Sequence, residues 1–75
     1  MNQIIAETVK KLLNLTDEEL SSNSLELEDI NAFYFWSSGR GGKAMIINDN
    51  GEKLVATSAV RFDDHLKAFK MGKRN

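Results

Sequence analysis

The chain has 75 residues, no cysteine and a formal net charge of −1, and 41% of its residues are hydrophobic. It is one domain near the lower size limit for folding alone, and too apolar for a disordered segment. Disulfides, thiolate zinc sites and thiol catalysis are excluded by composition, and no apolar run is long enough to span a membrane.

Residues 2–13 carry helical periodicity. Ile5, Val9, Leu12 and Leu13 cluster on one side of a helical wheel with Ile4 at the margin, opposite Gln3, Glu7, Lys10, Lys11 and Asn14. An acid inside the apolar part and no charge ahead of it make this an amphipathic helix rather than a signal peptide, so a cytoplasmic location is expected. Thr16-Asp17-Glu18-Glu19 has capping-box spacing, with Thr16 as N-cap. A short second helix therefore starts near Asp17 and ends around Ser22, where Ser-Ser-Asn-Ser interrupts it. Residues 24–31 read equally as a helical turn or a connecting segment.

Residues 32–58 hold three β-rich runs separated by two turn signals: Ala-Phe-Tyr-Phe-Trp, Ala-Met-Ile-Ile, and Glu-Lys-Leu-Val-Ala-Thr-Ser. They predict a three-stranded antiparallel meander. Asn50-Gly51 suits a two-residue type I′ hairpin loop. That loop would set Asp49 opposite Glu52, Ile47 opposite Leu54 and Ile46 opposite Val55, although two facing acids are unfavourable and would be relieved by a longer loop. In this register Met45, Ile47, Leu54 and Ala56 share one face, while Ala44, Ile46, Val55 and Thr57 share the other. Phe33 and Phe35 point one way from their strand, Tyr34 and Trp36 the other. Both sheet faces are therefore apolar. A last helix spans about Asp63 to Met71, with Phe62, Leu66 and Phe69 as its stripe and Gly72 as its stop. The expected fold is α+β in one domain, 1–75: an N-terminal helix, a short second helix, the meander and a C-terminal helix.

The charge is divided. Residues 1–31 carry seven acids and two bases; residues 32–75 carry eight bases and four acids. This suits either intramolecular complementarity or a basic surface for an anionic partner.

Ser37-Ser38-Gly39-Arg40-Gly41-Gly42-Lys43-Ala44 invites comparison with a phosphate loop. Ser37 stands where that motif needs its first glycine, Ala44 where it needs a hydroxyl, and a strand follows instead of a helix. The remaining reading is an anion-binding nest of amides around Gly41 and Gly42, flanked by Arg40 and Lys43; the plain one is a hairpin loop. Tyr34 and Trp36 alternate beside it, as stacking faces for bases or as core. Candidate binding residues are thus Tyr34, Trp36, Arg40, Gly41, Gly42 and Lys43. His65 lies at the edge of the last helical stripe without a nucleophile in reach, which reads as a half-buried structural histidine. The acids Asp17, Glu18, Glu19, Glu26, Glu28 and Asp29 form no calcium loop, because the segment has no glycine. No catalytic residue, metal or cofactor is implied.

Phe33-Tyr34-Phe35-Trp36, Gly39-Arg40-Gly41-Gly42-Lys43, Gly51, Ser58 and His65-Leu66-x-Ala68-Phe69-x-x-Gly72-x-Arg74 together resemble small bacterial proteins without an assigned function. The resemblance implies a compact bacterial domain and supplies no activity. Two modest helices would leave part of one apolar sheet face open, and an open apolar face marks an interaction surface. The expected function is a small non-catalytic binding module that self-associates or needs a protein partner. The alternative is nucleic-acid or anion binding through the Gly-rich basic loop and strand aromatics.

Overall fold

A computed structural model describes residues 3–37, 42–57 and 59–75. The architecture is α+β. In chain order the elements are α1 (Gln3–Leu13), α2 (Asp17–Ser22), β1 (Ser24–Leu27), a 3-10 turn (Glu28–Ile30), β2 (Ala32–Trp36), β3 (Lys43–Asn48), β4 (Lys53–Thr57) and α3 (Phe62–Lys70). The strands form one antiparallel sheet in the order β1-β2-β3-β4.

The meander therefore has four strands, not three. Leu25 and Leu27 alternate with Ser24 and Glu26, a period-two signal in a segment too short and too acidic to stand out beside the aromatic run. Asn31 closes the β1–β2 hairpin at φ +53°, a left-handed conformation that asparagine tolerates.

The Asn50-Gly51 hairpin is present with a different loop. Asn48, not Asp49, faces Glu52: its N–H donates to Glu52 O at 3.0 Å, and Gly51 N–H returns to Asn48 O at 3.0 Å. The loop has three residues, Asp49-Asn50-Gly51, with only Gly51 of the three at positive φ, +83°, the arrangement of a type I turn followed by a glycine bulge. Asn48 Oδ1 accepts from the amides of Asn50 and Glu52, at 3.0 and 2.9 Å, while its Nδ2 donates to Glu52 Oε1 at 2.9 Å. The longer loop removes the Asp49–Glu52 opposition and satisfies these turn amides. It also shifts the register by one, so Ile46 faces Leu54 and Met45 faces Val55. Every β4 side chain consequently lies on the opposite face from that expected: Val55 joins Met45 and Ile47, and Leu54 joins Ile46. A Cβ on Gly51 meets no atom within 4 Å, so Gly51→Val should cost about 1–2 kcal/mol through backbone strain alone. An unchanged melting temperature for this variant would refute that assignment.

The two longer helices take one face each, instead of sharing a face. α1 lays Ile5, Val9 and Leu13 on Phe35, Met45 and Ile47, with Leu15, Leu20, Phe33 and Val55 completing that cluster. α3 lays Phe62, Leu66 and Phe69 over Leu27, Ala32, Tyr34, Ile46 and Leu54. Each nonpolar sheet face thus has its own cover. Leu12, expected inside, is 41% exposed, because three residues per face suffice for a helix lying on a sheet. Asn14, at φ +55°, ends α1 and lets Leu15 N–H reach Lys10 O at 3.1 Å, which turns Leu15 inward.

Thr16 and Glu19 form the expected capping box: Glu19 N–H to Thr16 Oγ1 at 3.1 Å and Thr16 N–H to Glu19 Oε1 at 3.2 Å. α3 ends in a Schellman motif. Gly72, at φ +96°, donates to Phe69 O at 3.0 Å, and Lys73 N–H donates to Ala68 O at 3.1 Å.

Candidate functional site

β2 divides its aromatic residues by parity. Phe33 and Phe35 stack toward α1, with ring centres 6.1 Å apart. Tyr34 and Trp36 face the α3 side, 5.5 Å apart. Tyr34 also meets the edges of Phe62 at 4.7 Å and His65 at 5.8 Å, both near perpendicular. α3 is nine residues long, about 13 Å, and it does not reach the whole face. Phe62 caps Tyr34, while Leu25, the cross-strand neighbour of Tyr34, stays 49% exposed. Trp36 is half-buried on the same side. Leu25, Tyr34, Trp36 and Phe62 make an apolar strip running from the β1 edge to the start of α3.

Gly42 is buried just before β3, and Lys43 opens that strand, exposed. By strand alternation Lys43 belongs with Met45 on the α1 side, across the sheet from Tyr34 and Trp36. Of the predicted stacking surface, Tyr34 and Trp36 are thus on one face and Lys43 on the other. Arg40 and Gly41, with Ser38 and Gly39, lie outside the described residues.

His65 is fully buried, at 1% accessibility, rather than half-buried. Its Nε2–H donates to Leu54 O at 2.7 Å, and Nδ1 has no hydrogen-bond partner among the described residues. The carbonyl, which can only accept, fixes the tautomer. This imidazole braces α3 on β4.

Among the described residues one ion pair joins the acidic half to the basic half, Lys70 to Asp29 at 3.5 Å, while Lys10 holds Asp17 within the acidic half. Arg74 lies over the Phe69 ring at 3.7 Å and donates to Phe69 O at 2.7 Å, so it fastens the end of α3. Glu26, Glu28, Asn31, Ala32, Phe33 and Asp49 line a cleft of about 380 Å3. Among the described residues no group of three or more His, Asp and Glu is placed to hold a metal ion, and no helix is long and apolar enough to cross a membrane.

Burial raises the Tyr34 hydroxyl above its ordinary value of 10.0. The unfolded chain therefore loses this proton first as pH rises. The stabilisation is complete below the unfolded value and falls away as pH climbs through the folded one. Tyr34 is the only tyrosine, so tyrosinate absorbance follows it alone. Alkaline melts should show the wild type losing stability above about pH 10 more steeply than Tyr34→Phe; parallel curves would contradict the burial.

No protein-family model, curated protein or solved structure matches this chain. Leu25 and Phe62 were absent from the sequence-derived set of binding residues. The Leu-Glu-Leu alternation was the available signal for the first, and only the packing of α3 brings in the second.

Proposed function

We propose that this chain is a small non-catalytic binding module that holds a protein partner against Leu25, Tyr34, Trp36 and Phe62. The observation that carries this reading is the apolar strip left beyond the reach of α3, with Leu25 49% exposed and next in register to Tyr34. Large aromatic residues with one side packed and one side accessible supply contact area at low cost in side-chain entropy. The one histidine supports the same reading, because its Nε2–H is spent on Leu54 O inside the core.

Selection from a displayed-peptide library tests the proposal, using the wild type, Leu25→Glu and Trp36→Ser. Peptides enriched by the wild type should bind both variants at least ~10-fold more weakly, with far-ultraviolet circular dichroism unchanged. Equal binding by folded variants would remove the strip from any binding role. Binding that instead falls with salt and with Lys43→Ala would favour the anionic-partner reading.

A further inference from the structure

The two edges of the sheet are finished differently. On β4 the outward groups belong to Lys53 and Val55, and Asn75 takes them. Its N–H donates to Lys53 O at 3.1 Å. Its side-chain amide then pairs with Val55 in both directions, accepting from N–H at 2.8 Å and donating to O at 2.9 Å. Asn75 imitates a short added strand and closes that edge.

Among the described residues β1 has no such cover. Trp36 N–H donates to Asn23 O at 3.3 Å, which sets the alternation of the β1–β2 ladder. Leu25 and Leu27 turn their amides toward β2, and Ser24 and Glu26 turn theirs outward. No described residue hydrogen-bonds those outward groups, so among the described residues two donors and two acceptors stand open in a row. On one side of this edge stands Leu25, beside Tyr34 and Trp36. On the other stands Glu26, opposite Phe33 in register, at the cleft it shares with Glu28 and Asp49.

We infer that β1 is the docking edge for an extended peptide segment in which apolar residues alternate with lysine or arginine. The inference deepens the proposed function and rests on it, since the apolar half of the recognition is the Leu25–Tyr34–Trp36 strip. An added strand presents successive side chains to opposite faces. Its apolar positions continue the Leu25 row, and its basic positions fall beside Glu26, with charges toward Glu26, Glu28 and Asp49 at the cleft. Among the described residues none of these three carboxylates has an ion-pair partner. The same charges disfavour a second copy at this edge: residues 16–31 carry six acids and no base, and pairing β1 with itself would bring two such segments together. Repulsion of like edges and attraction of a basic strand are one device for selecting the partner.

The test uses a blocked peptide of about six residues alternating lysine and valine, titrated into the chain and followed by amide NMR. Expected are shifts along β1 and at Tyr34 and Trp36, slowed exchange of the Ser24 and Glu26 amides, and weaker binding at higher salt. A glutamate–valine peptide should not bind the wild type. Glu26→Lys combined with Glu28→Lys should reverse the preference, weakening lysine–valine binding at least ~10-fold. Equal binding by a peptide N-methylated on alternate amides overturns strand addition while leaving the apolar strip in place. Equal binding of both charge types overturns the basic partner. No shift on β1 at millimolar peptide overturns the inference, and the Leu25 and Trp36 selection then judges the strip by itself.

Discussion

Replacing His65 by alanine should remove about 2–4 kcal/mol of stability. A domain of this size has roughly 4–11 kcal/mol in total, so the variant should be partly unfolded near physiological temperature. The ring is buried to 1% accessibility, stands edge-on to Tyr34, and gives its Nε2 proton to Leu54 O. Alanine leaves a cavity between α3 and the sheet. Leu54 is in register with Ile46, so its carbonyl keeps the strand pairing of β4 with β3 and is not left unsatisfied. Packing volume, not the hydrogen bond, is then the larger loss. His65→Phe refills the volume and replaces the unpartnered Nδ1 with carbon, so it should cost less than about 1.5 kcal/mol. Urea unfolding of both variants checks the order, with midpoints compared at constant slope. Phenylalanine as damaging as alanine would mean that the Leu54 bond dominates.

His65 also shows where the sequence was legible and where it was not. Phe62, His65 and Phe69 lie on one helical face, and the stripe was readable; that its polar member would sit fully inside was not, because Leu54 O is supplied by a strand distant in sequence. Local signals carried well where the partners are neighbours. Thr16 and Glu19 satisfy each other, Gly72 stops α3, and Gly51 takes positive φ, each within a few residues. The hairpin register failed by one position because it depends on Asn48, whose side chain stabilises a three-residue loop that the Asn-Gly pair alone does not specify. β1 carries a weak strand signal because it is four residues long and its acidic positions resemble a solvated linker. Of the candidate site, Tyr34 and Trp36 were legible as an alternating pair, whereas their separation from Lys43 follows from the parity of β3 relative to β2.

The neighbouring residues Phe35 and Trp36 should separate the part of β2 that holds the fold from the part assigned to the proposed binding strip. Phe35 is fully buried against Ile5, Val9 and Met45. Phe35→Ala should cost about 3–5 kcal/mol, enough to detach α1 and leave little folded protein. Trp36 is larger, yet its ring is half-buried and its described ring partner is Tyr34. Trp36→Ala should cost only about 1–2 kcal/mol, the sum of partial area and one aromatic contact. Size alone predicts the reverse order. A bulky aromatic residue that contributes less to stability than its smaller neighbour has side-chain surface to spare for the proposed binding strip. Thermal melts of the two variants, with amide dispersion in NMR as the check on folding, decide the matter. Equal losses, or a larger loss for Trp36→Ala, would make the tryptophan a core residue and remove the strongest anchor from the proposed binding strip.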